Sequence, residues 1–431
     1  MLQTKVGHET AEGKDVRHVT VIGAGAVGAS TALALRRDGY AVTLLERGDP
    51  GMGASFGNAG MLSVTSCVPI ASPGILWRVP RLLADPLGPL YVDWRYLHRI
   101  APWLVRFVLA SRPAEVERIS IALMSLLVQI VPAYRELLGS EAFNDLTRPG
   151  GNLVVYKSEQ AFEKARQGAH ALRRRRGVNL SFLDQSELRQ MEPALGPNVK
   201  YGVFMPDSYQ TVNPLRLTQR LVELFQDEGG ELVRTSVQHI EHGSAGRLTA
   251  VTDNGPRDLD LVAICAGSWS KQLAAQCGAR VPLDTERGYH VMLPSPGIKV
   301  NRPMSSGDHE FAITPMEHGL RLAGTVELAG LDAPPNMQRA DVLLRAAKDL
   351  FPGLDAAGMT TWMGFRPSMP DSLPVIGPSA QHADVYYAFG HGHLGLTLAA
   401  VTARLVADLI ADMVAGRPSR VDLTPFRPDR F

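Results

Sequence analysis

The chain has 431 residues, 45% of them apolar, and its 44 basic side chains nearly cancel its 43 acidic ones to leave a net charge of +1. That length can bury a large core and suits two domains, and the balanced charge argues against a surface built for nucleic acid. The three cysteines, Cys67, Cys265 and Cys277, show no CxxC spacing, which fits a reducing compartment and argues against a disulfide framework or a structural zinc.

Residues 1–15 are polar, of mixed charge and without an apolar run, so they read as a flexible lead. No targeting segment is visible, which predicts a cytoplasmic protein. The first strong unit is "HVTVIGAGAVGASTALALRRDGYAVTLLER". It reads as a β-branched strand at 18–22, a helix at 26–38 ended by Gly39, and a second buried strand at 41–45 closed by Glu46. Gly23, Gly25 and Gly28 make GxGxxG between the first strand and the helix. A bare GxGxxG is weak, but strand, glycines, helix, strand and acid in this order are specific for a dinucleotide. Gly23 allows the tight turn, Gly25 lets the backbone approach a pyrophosphate, and Gly28 lets helix and sheet pack closely. The helix N-terminus offers free N–H groups to phosphate, and Glu46 can accept hydrogen bonds from an adenosine ribose.

A nicotinamide enzyme continues with further βα units. This chain instead continues with a glycine-rich loop at 48–62, holding Ser55 and Asn58. The stretches "ILWRVPRLL" and "YLHRIAPWLVRFVLA" mix Trp, Leu and Arg. Two readings stay open for them: a surface helix pair, or peripheral contact with the inner face of a membrane. The uncharged run 119–134 is shorter than the ~20 residues of a span and reads as a buried helix. Strands are expected at 151–156 and 201–206, with helices near 158–176 and 213–229. The run "LRRRRG" at 172–177 reads as a solvated helix end rather than a nucleic-acid contact. Residues 231–242 read as strand pairs, and 259–270 as a buried strand ending in Ala266-Gly267. Three antiparallel strands are expected between 288 and 328, a helix at 340–350, and a strand "VYYAFG" before "GHGHLGLT" and a long apolar helix at 394–415. The order predicts a discontinuous α/β domain with a β-rich second domain.

"GHGHLGLT" invites a metal reading of His391 and His393. It fails on companionship, since glycines interrupt the backbone and no Cys or carboxylate sits at ligand spacing, so no metal is expected. Glycines 390, 392 and 395 suit a turn pressed against a flat ring, with a helix N-terminus just behind it. His391 reads as a hydrogen-bonded core histidine.

With these motifs in hand, the chain resembles the D-amino acid oxidase-type flavoproteins, and among them the bacterial FAD-dependent D-amino acid dehydrogenases. The resemblance rests on the first βαβ unit and on "GASFGNAGML", "AICAGSWS", "RGYHVML", "RLAGTVEL", "GFRPSMPDSLPVIGPS" and "GHGHLGLTLA", which span 18–415 in family order. It implies a Rossmann-like FAD-binding domain from 16–68, 207–283 and 360–431, with a β-rich substrate (cap) domain from 69–206 and 284–359. It implies FAD held by Gly23, Gly25, Val27, Gly28, Glu46, Arg47, Ser55, Asn58, Ala59, Gly60, Val237, Ala266, Gly267, Gly392, His393, Leu394, Gly395 and Thr397. Some members bind flavin through a cysteine near the Arg366 region; none lies there in this chain, so non-covalent FAD is expected.

The resemblance makes Arg366, in "GFRP", the cation for a substrate carboxylate. Its fork can hold both oxygens. Tyr289 is expected to supply a hydroxyl or close the pocket, with His290 alternating to the other strand face, and His393 is expected to form pocket wall. The family's oxidases carry a glycine where this chain has His393. The implied reaction is oxidative deamination of a small amino acid, of D configuration, by hydride transfer from Cα to flavin N5, giving a 2-oxo acid and ammonia. Electrons then pass to a quinone-like acceptor or O2. Two alternatives stay open: a cyclic or N-methyl amino acid or 2-hydroxy acid as substrate, and a flavin-binding subunit that needs a partner chain.

Overall fold

The computed structural model of the chain describes residues 17–74, 87–243 and 247–431. The lead at 1–15 and the whole stretch 75–86, which holds "ILWRVPRLL", lie outside the described residues. A six-stranded sheet organises the first half of the fold. Its strands lie in the order Glu231–Arg234, Ala41–Glu46, His18–Ile22, Leu261–Ile264, Val385–Phe389, Val375–Pro378. All neighbours are parallel except the last pair, which is antiparallel. The first strand sits in the middle, so the strand order reverses between His18–Ile22 and Leu261–Ile264, whose chains run the same way. Ligands of such sheets bind beyond the carboxyl ends of the strands at this switch point.

The strands are short, β-branched and buried on both faces, as a helix-covered parallel sheet requires. Helix Ala26–Arg37 is rich in Ala, Gly, Ser and Thr, and nine of its residues are buried. Its small side chains let it pack closely against the apolar helix Gly395–Val414.

A second, largely antiparallel sheet forms the other half. It runs Thr360–Ser368, Asp284–Leu293, Gly319–Leu328, Phe311–Met316, Met304–Ser306, Asn152–Tyr156, Tyr201–Met205, Ser181–Leu183, with Leu90–Val92 paired to Gly319–Leu328. One face buries Leu343, Ala347 and Leu350 of helix Gln338–Leu350. The other faces the carboxyl ends of the first sheet.

Several expectations are corrected. Strand Thr360–Ser368, assigned by sequence to the FAD-binding part at 360–431, belongs to the second sheet, with Arg366 registered opposite Glu286. Helices Pro113–Leu127 and Ile130–Leu146, assigned to the 69–206 substrate part, pack against the helices of the first sheet, and Tyr134 donates its hydroxyl to Leu396 O at 2.5 Å. The run 119–134 is not one buried helix. It breaks at 128–129, and Ile121 and Val128 are exposed. Residues 231–242 form two strands in different sheets, one beside Ala41–Glu46 and one in a separate three-stranded sheet. Two helical stretches, Pro113–Leu146 and Gly392–Val414, are long and apolar enough to cross a membrane by length and composition, and the second is mostly buried inside the protein.

Candidate active site

A cavity of about 1450 Å³ lies between the two sheets, at the switch point of the first. Its dinucleotide end is built from the first βαβ unit. Gly23 has φ 102°, and a Cβ there would stand 2.7 Å from Cys265 O. A Cβ on Gly28 would collide with the Gly23 carbonyl, so Gly28 seats the helix on the turn behind the cavity wall. Gly25 caps helix Ala26–Arg37 without any side-chain bond, and the first turn holds no acid. Ser55 Oγ accepts from Ala26 N at 2.9 Å, which ties the glycine-rich loop to the helix. Glu46 accepts from Ala24 N at 2.7 Å and from Gly48 N at 3.1 Å. Arg47 stacks on Trp269, 3.7 Å from the ring centroid.

Val27, Asn58, Ala59, Val237, Ala266 and Gly267 also line the cavity. Gly60 does not; with φ 73° it turns the chain, and its carbonyl accepts from Thr211 N at 2.7 Å. Gly392, Leu394, Gly395 and Thr397 line the opposite wall, and Thr397 Oγ1 donates to Met61 O. The second helix N-terminus, at Gly395, also lacks a side-chain cap and a first-turn acid. Two uncapped positive helix ends and a glycine cradle opening on one cavity fit FAD. No group of three or more potential metal ligands occurs among the described residues.

The second sheet supplies the other wall. Arg366 lines the cavity and is partly buried. Its Nη1 donates to Thr325 O at 3.1 Å and Nη2 to Gly324 O at 3.5 Å. Its guanidinium occupies the space where a side chain at residue 288 would begin, so Gly288 makes room for it. Across the strand pair, Glu286 accepts from Ser368 Oγ at 2.6 Å. Burial raises the Glu286 pKa, opposed by that bond and by the Arg366 charge. Burial lowers the Arg366 pKa, opposed by Glu286. His393 is open to the cavity, and its pKa is pushed down to about 4 by desolvation and then by Arg366, so the ring is neutral at pH 7. His391 sits behind it, buried, with Nε2 2.9 Å from Thr402 Oγ1.

Tyr289 is not a cavity residue. Its hydroxyl donates to Glu327 Oε2 at 2.5 Å and accepts from Asn336 N at 3.0 Å, within the core behind the sheet. The alternation along Asp284–Leu293 is as expected, but its phase is the reverse: Glu286 and Gly288 face the cavity, while Arg287 and Tyr289 face away. His290 shares the cavity face, yet Trp362 stacks on it at 5.1 Å and covers it. Arg287 spends its N–H groups on the carbonyls of Gly330, Ala333 and Pro334. Arg321 holds the glycine-rich loop through Phe56 O and Asn58 O.

Thr325 also belongs to this wall. It is β-branched with φ 55°, its carbonyl holds Arg366, and its buried Oγ1 has no partner. Such strain persists only where the surroundings enforce it, and it concentrates at functional sites. Nothing in a linear sequence announces a positive φ at threonine. Glu286 was legible in principle, two residues before Gly288 on the alternating strand.

The FAD dependent oxidoreductase (DAO) family matches residues 18–409. A D-amino-acid oxidase of Bradyrhizobium diazoefficiens is 39% identical over 422 residues, covering 96% of this chain and 99% of that protein. A D-amino acid dehydrogenase of Paramagnetospirillum magneticum is 30% identical over 423 residues, covering 96% and 98%. The fold is shared with the iminodiacetate oxidase of Chelativorans sp. (TM-score 0.70, 22% identity, 95% and 98% coverage) and the glycine oxidase of Bacillus cereus (TM-score 0.69, 19% identity, 96% and 99%).

Proposed function

The chain belongs to the DAO family of FAD-dependent oxidoreductases, and from that premise we propose that it oxidises a small amino acid, of D configuration, at Cα. The imine product leaves and hydrolyses in water to a 2-oxo acid and ammonia. The observation that carries this reading is Arg366. Only two of the five N–H groups of its fork are donated within the protein among the described residues, both to backbone carbonyls. No carboxylate lies within ion-pair distance of it among the described residues. A partly buried cation that faces the cavity in this way is suited to an incoming carboxylate.

When bound, FAD supplies the acceptor for the electron pair lost from the substrate. The chain's own part is alignment and electrostatics. Arg366 fixes the carboxylate, and Gly324 and Thr325 fix Arg366. His393 presents a neutral ring, so Arg366 is the cation the carboxylate meets on this wall. The Gly395 helix end directs its positive pole at the cavity and favours negative charge there.

The FAD-loaded chain, mixed without oxygen with a D-amino acid, should bleach and release one 2-oxo acid and one ammonia per flavin reduced. Re-oxidation by O2 or by a soluble quinone then identifies the onward acceptor. Bleaching by 2-hydroxy acids but by no amino acid would overturn the reading. So would bleaching that appears only after a co-purified second chain is added.

A further inference from the structure

The cavity wall contains a second cation that the reaction above does not use. Arg173 lines the cavity within the run 172–177, and the other three arginines of that run are otherwise engaged. Arg174 lies over Phe182, and Arg175 and Arg176 both pair with Glu117. Arg173 donates from Nε to Thr65 O at 3.1 Å and from Nη1 to His170 Nδ1 at 3.2 Å, and it has no ion pair among the described residues. A π-helical stretch, Arg166–His170, interrupts the helix just before it. Such turns widen a helix by one residue, re-aim the side chains that follow, and recur at functional sites.

The donors in this cluster set its proton pattern. Arginine only donates, so His170 Nδ1 accepts, and its proton sits on Nε2. Nε2 therefore donates to the Tyr156 oxygen at 2.8 Å. Tyr156 keeps its own hydrogen for another acceptor, and the ring lines the cavity. Burial and the adjacent arginines hold His170 down to about 3, so the arrangement persists at neutral pH. Asn152, on the same strand face as Tyr156, lines the cavity with 8% exposure; its Nδ2 carries the N–H donors a carboxylate can use, while its unpartnered Oδ1 can only accept from a donor on the ligand.

We propose that Arg173, Tyr156 and Asn152 form a distal subsite that takes a second carboxylate, making acidic amino acids of the D-glutamate type the preferred substrate class. The inference rests on the amino-acid reading for the end held at Arg366. The two ends face each other along one sheet. Arg366 leans over Gly288 and Tyr156 leans over Gly307, from opposite sides. Three strand spacings, roughly 14 Å, separate those glycines. With both side chains reaching inward, a substrate backbone of a few carbons bridges them. Glu310 lines the same wall, so a cationic side chain is the competing occupant.

Titration of the FAD-loaded protein with succinate, glutarate and adipate, beside monocarboxylates of equal length, reads the subsite from the flavin absorbance without turnover. At least one dicarboxylate should bind about tenfold or more tighter than its monocarboxylate. That ratio should collapse in Arg173→Met and shrink in Tyr156→Phe, which removes only a hydroxyl and guards against misfolding. Equal affinity for the two series overturns the proposal, as does a ratio that survives Arg173→Met, or faster flavin reduction by D-lysine than by D-glutamate at equal low concentration. A dicarboxylate preference in a protein that no amino acid reduces would refute the proposed reaction and leave the subsite standing. Amino-acid oxidation without the preference would refute the subsite alone.

Discussion

Gly288→Ala moves the Arg366 guanidinium while leaving every charged side chain unsubstituted. Gly288 has an ordinary φ, so alanine fits the backbone. Its methyl would stand 2.7 Å from Arg366 Nε and closer still to Cζ and Nη2. Ordinary contact requires the guanidinium to retreat by about 1 Å. The bonds to Thr325 O and Gly324 O hold it from one side, so the shift moves the fork away from its present plane. A misplacement of that size costs on the order of 100-fold when it tilts a reacting bond out of line. The limiting rate of anaerobic flavin reduction at saturating substrate, followed by stopped flow, should fall by about that factor. FAD should remain bound, because Gly288 is remote from the dinucleotide end. A limiting rate within about twofold of the wild type would refute the claim that Arg366 aligns the substrate.

Other variants probe separate parts of the account. Arg366→Lys keeps the charge but not the fork, so both affinity and limiting rate should drop, and the limiting rate divided by the substrate dissociation constant should fall by about 10-fold or more; a wild-type value of that quotient would make Arg366 structural. Glu46→Ala should weaken FAD binding by about 1.5–3 kcal/mol, read by fluorescence titration of the apoprotein, and unchanged affinity would remove Glu46 from the ribose site. Acid precipitation should release all the FAD to the supernatant, since no cysteine lies near Arg366; a yellow pellet would show a covalent link. Burial holds His391 down to about 3, against about 6.5 in an unfolded chain. Between those values the unfolded state binds a proton that the folded state does not, so stability falls as pH drops below about 6.5 and goes on falling toward 3. His391→Gln should flatten that fall by up to about 1.4 kcal/mol per pH unit, and parallel melting curves for the two proteins between pH 7 and 4 would contradict it.

The dinucleotide end was legible because its chemistry is local. The turn at Gly23, the packing at Gly28 and the acid at Glu46 follow from one contiguous βαβ unit, and the structure reproduces its boundaries to within a residue. The substrate end was legible only in part, because it is assembled across strands far apart in sequence. Arg366 stands out by residue type and flanking motif. Tyr289 does not, because period-two alternation fixes which residues share a face but not which face is inside. The π-helical stretch that precedes Arg173 has no signature in "LRRRRG", so a run that reads as a solvated helix end hides one arginine turned inward. The boundary at 360 failed for a similar reason. Strand Thr360–Ser368 looks like part of the returning nucleotide-binding segment, and only its ladder with Asp284–Leu293 places it in the other sheet.

The central claim is that this cavity oxidises amino acids held by carboxylate at Arg366. The most direct measurement is anaerobic bleaching of the FAD-loaded wild-type chain by a panel of D- and L-amino acids, D-proline derivatives, sarcosine and 2-hydroxy acids, with Arg366→Ala run beside it. The account predicts rapid bleaching by D-amino acids in the wild type, and loss of that bleaching in an Arg366→Ala protein that still holds FAD. Bleaching by none of the amino acids, or bleaching that Arg366→Ala retains at the wild-type rate, would contradict it.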